Sequence, residues 1–366
     1  MVGLAFLAAP AVLGDFRLNL LAKYLCFAIV AVGIGLAWGQ GGMLTLGQGV
    51  FFGLGGYAMA MHLKLQEAGP GNMPDFMSWS GVGRLPALWR PFRSAWVALP
   101  AVVIAPTAVA VVLGMLVFRR RVRGAYFAIL TQALAGAFVI LLVGQQGYTG
   151  GTNGLTNIHQ LFGYDLSDPA NQRLLYFAAA VTLGLAYLAA RQLVASRYGR
   201  LLIAIRDGED RVRFLGYNPA LVKVVAFGVS AAMAGIAGAL FVPIVGIISP
   251  ALLGIAPSIE MVIWVALGGR MTLVGPVLGA LLANYARTSL SEQFPSGWLY
   301  LQGAMFVVLI AFAPKGIAGI GEVLRGRFRK GVRSAAGTAG GAGGPSERGE
   351  GAVGADVEPE PDAVTL

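Results

Sequence analysis

Apolar stretches of bilayer length alternate with short polar ones along most of this chain. Leu18–Trp38, Met43–Leu63, Ser94–Phe118, Ala125–Val143, Leu174–Val194 and Leu221–Val245 are each predicted to cross about 30 Å of hydrocarbon at about 1.5 Å per residue. Thr272–Thr288 and Trp298–Ala313 complete the set. Met1–Leu13 is apolar but short, and no Lys or Arg precedes it, so it predicts an incomplete first crossing rather than a signal peptide. Pro257–Gly268 is also short, which predicts a broken helix or one recessed within protein. Gly39–Gly42 reads as a tight turn. Lys64–Arg93 and Gly144–Arg173 are long polar loops.

Composition turns this pattern into a class. The chain is 57% hydrophobic and 12% charged, with a mean hydropathy of +0.71. A soluble domain carries about 25% charged residues, so this sequence cannot cover a water-facing surface; it predicts an all-α polytopic membrane protein in contact with lipid. The net charge of +10 would suit nucleic acid, but the Lys and Arg cluster in a few loops beside apolar spans, which argues against that partner. Basic loops at Arg119–Arg123, Ser196–Pro219, Arg270 and Arg325–Arg333 fall on one side if Pro257–Gly268 crosses. That side is cytoplasmic by the positive-inside rule, giving about ten crossings with both termini inside if Met1–Leu13 also spans. The membrane domain then runs over 1–333. Residues 334–366, rich in Gly, Ala, Glu and Pro, cannot bury apolar surface and are predicted to be a disordered tail. Cys26 is the only cysteine, and His62 and His159 are the only histidines, so no disulfide or metal framework is expected. No P-loop, G-x-S-x-G or H-E-x-x-H motif is present, so neither ATP binding nor an enzyme constellation is predicted, and no cofactor.

Ser196–Pro219 is the longest polar run between two apolar blocks. It sets Arg197, Arg200, Arg206, Arg211 and Arg213 against Asp207, Glu209 and Asp210. Leu201, Leu202, Ile205, Val212 and Leu215 recur at helical spacing, which predicts one or two short amphipathic helices. A charge run is commonly a solvated face and nothing more. Against that stands Phe214-Leu215-Gly216 closing on Asn218-Pro219, an apolar knob flanked by charge that the groove of a soluble partner would grip.

The second concentration of interest is Met43–Leu63, where Gly47, Gly49, Gly53, Gly55 and Gly56 accompany Thr45 and Gln48. Close helix packing explains Gly49-x-x-x-Gly53. The other reading is a pore-lining helix in which Thr45 and Gln48 meet a small polar solute; Gly53→Leu would then block transport or assembly. Thr131 and Gln132 make an interhelical hydrogen bond or join that pore. Glu260 faces a cavity or sits at a wet interface, with no partner evident. Asn284 and Arg287 read as interfacial anchors. Gly150–Asn157 is an outer gate or docking loop, or turn chemistry alone.

These motifs carry a resemblance. Ser196–Pro219 resembles the cytoplasmic coupling segment of the permeases in the branched-chain amino acid and urea branch of ABC importers. WGQGGMLTLGQGVFFGLGGYAMAM and the block from Ile259 to Gly319 are similar to the same family, so the likeness covers about Tyr24 to Gly319. Gly151–Ile158 (GTNGLTNI), Ile205–Pro219 and Ser258–Arg270 look more like the urea permease than the amino acid one. The resemblance implies a bacterial inner-membrane subunit with a bundle like that of the vitamin B12-importer permease. It implies a second homologous permease, two ABC ATPase subunits and an extracytoplasmic solute-binding protein as partners. It also implies that Gly199–Gly216 sits in an ATPase groove. Ile205, Val212, Phe214 and Leu215 would be its apolar contacts, Arg200, Arg206, Asp207, Glu209 and Arg211 its charged ones. Urea needs amide and hydroxyl partners rather than charges, which suits Thr45, Gln48, Thr131, Gln132 and backbone exposed at Gly49 and Gly53. A zwitterionic leucine also fits beside glycine-lined helices. A passive urea channel or a membrane enzyme are the readings from other classes; a channel has no need of Ser196–Pro219, and an enzyme needs an acid and base pair that Glu260 does not evidently have.

Overall fold

A computed structural model describes residues 14–293, except Pro70 and Arg123, together with the isolated positions Pro10, Tyr300, Gly303 and Ala304. The crossings predicted at Met1–Leu13 and Trp298–Ala313, and the predicted tail 334–366, lie outside the described residues apart from those single positions. The described chain is overwhelmingly helical. We number its principal helices α1 (Asp15–Ile34, continued by a π-helical turn Gly35–Gln40), α2 (Gln48–Ala68), α3 (Ala95–Arg119), α4 (Ala125–Gly144), α5 (Pro169–Ala195), α6 (Arg197–Phe214), α7 (Pro219–Val245), α8 (Ile255–Gly268) and α9 (Val274–Gln293). A two-residue-per-strand hairpin, Gln160–Leu161 with Tyr164–Asp165, decorates the loop between α4 and α5.

Among the described residues, five stretches are long and apolar enough to cross a bilayer: Asp15–Gln40, Ala95–Arg119, Ala125–Gly144, Pro169–Ala195 and Pro219–Val245. They match predicted crossings closely, and two of them, α5 and α7, start at side-chain caps that the sequence spells out. Asp168 and Asn218 each accept from the backbone N–H two residues on, with Pro169 and Pro219 at the first helical position. Ser196 caps α6 by accepting from Gly199 N–H, so α5 ends and α6 begins at one residue.

The Met43–Leu63 crossing is shifted. Residues 42–47 are not helical; α2 starts only at Gln48 and runs on to Ala68. Gly39–Gly42 is likewise not a free-standing turn, since α1 continues into the π turn as far as Gln40. The physical reason lies in the glycines and in burial. Gly41, Met43, Thr45 and Gly47 are buried while Gly42, Leu44 and Leu46 are not, the alternation of an extended strand rather than of a helix. Irregular backbone at membrane depth is tolerated where protein covers it.

α2 and α7 form the centre, packed on each other and on α3 and α1. Their contact is backbone on backbone. A Cβ on Gly55 would overlap the Gly235 carbonyl, and a Cβ on Gly238 would overlap the Phe52 carbonyl. Phe27, Phe52, Phe241 and Trp264 make a contiguous aromatic cluster beside this seam. α3, α4 and α5 carry the outward apolar faces, with Trp96, Ile104, Ile129, Ile140 and Leu185 exposed. That is the surface a bilayer solvates. α8 has 14 residues, about 21 Å of helix, too short to span alone, and it pairs with α9. The short apolar piece is therefore a half-helix held within the bundle.

Candidate functional site

Among the described residues, the basic segments expected on one side of the membrane, Arg119–Arg121, α6 and Arg270, gather at one end of the bundle. A cavity of about 360 Å³ there is walled by Gly41–Met43, Phe118, Gly124, Phe127, Ile205–Asp210 and Lys223. α6 is broken at Gly208, whose φ of −168° and ψ of 76° are extended, so the helix is really two short ones. Each half holds a different neighbour. In the first half, Leu202 and Ile205 are buried, Tyr198 Oη donates to the Val222 carbonyl at 2.5 Å, and Arg206 Nη1 donates to the Gly39 carbonyl at 2.8 Å. Burial pushes the Tyr198 phenol up to about 12. Gln40 in turn donates to the Met271 carbonyl at 3.1 Å, and Arg270 sits 5.0 Å over the Trp38 ring, which ties the α8–α9 turn to the same place. In the second half, Glu209 bridges Lys223 of α7 at 2.5 Å and Arg213 at 3.0 Å, both largely shielded from solvent, and Val212 is buried.

The predicted coupling residues therefore divide. Ile205 and Val212 are not available as surface contacts, because the helical period turns them into the bundle. Gly199 is buried under the end of α5, and Arg206 and Glu209 are occupied inward. Arg200, Asp207, Arg211, Phe214, Leu215 and Gly216 face outward, with Phe214 91% and Leu215 75% exposed. The Arg206 guanidinium donates to Asp207 and holds that exposed carboxyl below the usual carboxylate range. The Glu209 bridge is testable alone. Glu209→Gln takes the carboxylate from both Lys223 and Arg213 and is expected to cost about 2–3 kcal/mol of stability, read as a lower thermal midpoint in detergent. Lys223→Met costs less, since Glu209 keeps Arg213, and the double variant recovers most of the loss. A double variant no more stable than Glu209→Gln alone rejects the bridge.

The other site is the helix break. Thr131 Oγ accepts from Leu46 N–H at 3.0 Å and donates to the Ala128 carbonyl at 2.8 Å, so it supports the extended backbone. Ser258, near the start of α8, accepts from Gly49 N–H at 3.1 Å. Gln48 Nε2 donates to the carbonyl and the hydroxyl of Ser230 on α7, at 3.1 and 3.0 Å. A carbonyl only accepts, so the amide nitrogen must face it, and Gln48 Oε1 is turned elsewhere. That oxygen has no partner, and neither has Thr45 Oγ; both side chains are fully buried. An unpaired buried polar group costs about 1–3 kcal/mol. Among the described residues the other such atoms are Tyr57 Oη, His62 Nε2 and Thr107 Oγ. His62 is fixed through Nδ1, which donates to the Phe92 carbonyl at 2.7 Å.

The remaining candidates are not brought here as solute contacts. Gly49 and Gly53 are small because Ser258 and Leu253 press on them, the packing reading of that motif. Gln132 is half-buried on α4. Glu260 does have a partner, contrary to expectation: Arg287 of α9 pairs with it at 2.5 Å, brought there by the antiparallel α8–α9 hairpin. Arg287 is thus half of an ion pair rather than a free anchor, and Asn284 is buried, donating to the Ala280 carbonyl. Gly150–Asn157 is shaped by turn chemistry. Gly150, Gly151, Gly154 and Asn157 all have positive φ, and Leu155 pairs with Ile248 as an isolated bridge. Ser230 and Ser258 are barely legible in the sequence: each is a small polar residue in a helix with a single charged residue besides, Lys223 in α7 and Glu260 in α8.

A helical membrane bundle with a half-helix, a broken crossing and one charged helix across its end has the build of a solute permease. Residues 16–311 match the family described as the permease component of the branched-chain amino acid transport system, and this chain belongs to that family. The high-affinity branched-chain amino acid transport system permease protein LivM of Salmonella typhimurium is 27% identical over 85% of this chain and 72% of its own length. Its counterpart in Escherichia coli is 28% identical over 80% of this chain and 67% of its own length. The autoinducer 2 import system permease protein LsrC of Salmonella typhi is 30% identical over a shorter stretch, 36% of this chain and 40% of the relative. No solved structure matches the chain. The protein is a multi-pass membrane permease component of an ABC-type transporter.

Proposed function

We propose that this chain is one of two permeases in an ATP-driven importer of urea in the inner membrane. Two ATPase subunits, a homologous permease and an external solute-binding protein complete the machine. The observation that carries the reading is α6, a charged helix whose inner face is locked to three elements of the bundle while its apolar tip, Phe214-Leu215, stands free. A passive channel has no use for such a tip. The α6 end is then cytoplasmic. The contacts offered to an ATPase groove are Arg200, Asp207, Arg211, Phe214, Leu215 and Gly216. The likeness of Gly151–Ile158, Ile205–Pro219 and Ser258–Arg270 to urea permeases favours urea, as do the uncharged polar side chains gathered at the helix break.

A branched-chain amino acid is the second reading, favoured by what the LivM relatives are named for. The whole transporter, reconstituted with ATP, separates them. Labelled urea is expected to accumulate at least tenfold over a control without ATP, and labelled leucine not to. Accumulation of leucine with none of urea reverses the assignment of solute and leaves the importer intact.

A further inference from the structure

We infer that Thr45 Oγ and Gln48 Oε1 form the solute-accepting subsite of this permease, taking N–H donors of a small neutral amide-type solute where the crossing is broken. The inference rests on the importer reading above and adds which atoms meet the solute.

The argument is one of elimination among buried polar groups. At the break, Thr131 spends its hydroxyl on Leu46 N–H and the Ala128 carbonyl, and Ser258 accepts from Gly49 N–H. Gln48 Nε2 is spent twice on Ser230. Glu260 is neutralised by Arg287. Thr45 Oγ and Gln48 Oε1 alone among these groups are buried and unpartnered. They lie three residues apart, where extended backbone gives way to α2. Fixing the Gln48 amide through its nitrogen presents its oxygen as a preset acceptor, which suits a solute that brings N–H groups. Two uncharged acceptors leave a formal cation without compensation and an anion repelled, so the preferred solute is neutral.

In the arrangement seen, both oxygens are closed off from solvent. A permease passes through a state in which such a place opens, and the solute biases the switch only if it is held differently in the two states. Polar groups left unpaired when the site is shut and paired when it is loaded provide that difference. Glycines let the surrounding chain approach closely here: a Cβ on Gly33 would press on Ser230, and one on Gly49 on Ser258 Oγ and the Leu253 carbonyl.

The test uses Thr45→Val in the complete reconstituted transporter, with Thr45→Ser as the conservative control. Valine keeps the shape and the β-branch and deletes only an oxygen with no partner. A purely structural threonine would therefore gain stability and transport as before. The expected result is a thermal midpoint equal to or above wild type together with at least a tenfold fall in uptake at sub-saturating urea, restored within about twofold by Thr45→Ser. Gln48→Met is expected to lower uptake at least as far. Wild-type uptake in Thr45→Val, with an unchanged or higher midpoint, overturns the subsite. If wild type accumulates leucine and not urea, the same ratios are read with leucine: a tenfold fall keeps the subsite with a different solute, and no fall rejects it. If wild type accumulates neither, the importer reading fails and the subsite with it.

Discussion

Replacing Phe214 and Leu215 together by Asp is expected to abolish ATP-driven uptake while the permease stays folded in the membrane. Both side chains stand almost clear of the bundle, so their loss removes little buried area. Leu215 is the C-cap of α6, so carboxylates here meet the negative end of the helix dipole at about 0.3–1 kcal/mol each, too little to unfold the bundle. The same exposure makes them the apolar centre of whatever surface grips α6. Anchors of this kind, ringed by charge, carry most of an interface's energy, at about 2 kcal/mol or more each. Two carboxylates in their place must also be desolvated on binding. The joint cost is at least 4 kcal/mol by that measure, a thousandfold in affinity. The readouts are co-purification of the ATPase subunits, the thermal midpoint of the permease and uptake. Normal uptake by the double variant removes α6 as the coupling element. A collapsed midpoint would instead mean that these side chains support the fold. Ile205→Asp serves as the contrast, since Ile205 is buried and its replacement should unfold the same end of the chain.

How far the sequence reveals this arrangement depends on whether a feature is local. The crossings α3, α4, α5 and α7 are legible because length and hydropathy lie within the segment itself, and α5 and α7 add a side-chain N-cap followed by proline. The α6 pattern is legible for the same reason, as a helical repeat in a polar run, even to its two parts. Which charges of α6 face inward is not. Arg206 looks like Arg200 and Arg211 in sequence, and only the return of the α1 end and the start of α7 separates a carbonyl-bound arginine from free ones. Met43–Leu63 misleads because its apolar content supports a crossing from the first residue. Its two periods, strand-like to Gly47 and helical from Gln48, overlap within six or so residues, below the window at which periodicity can be read. Glu260 misleads for the converse reason. Its partner Arg287 lies 27 positions away and is found only when α8 and α9 fold back on each other. Thr45 and Gln48 stood out as polar residues in an apolar stretch, but that each keeps an unpaired oxygen follows only from counting the bonds of their neighbours.

The seam between α2 and α7 sets the second large effect. In lipid no hydrophobic drive holds one helix to another, so small residues that let backbones touch take its place. Gly238→Ala places a methyl group against the Phe52 carbonyl, and Gly55→Ala does the same against Gly235. Both obstacles are backbone within helices and cannot rotate aside. The two helices must separate, and with them the buried cluster of Phe27, Phe52 and Phe241. Overpacking of this kind costs about 1–3 kcal/mol and rises with volume, so Gly238→Val is expected to lose the folded protein. Gly53→Ala meets the buried Leu253 side chain from Cγ outward, which must change its rotamer to clear it, and is expected to cost less than a clash with helix backbone. Gly184, on α5, has nothing within 4 Å of its Cβ position, so Gly184→Ala is expected to be neutral or to gain up to about 1 kcal/mol of helix propensity. Thermal midpoints of the detergent-solubilised variants should fall in the order Gly184→Ala, Gly53→Ala, Gly238→Ala, Gly238→Val. All four exchanges add apolar atoms, and the first three add the same single methyl, so hydrophobicity predicts no such order. A Gly238→Ala protein that melts with wild type would show that α2 and α7 do not meet through their backbones, and the placement of Gln48 against Ser230, which depends on that seam, would go with it.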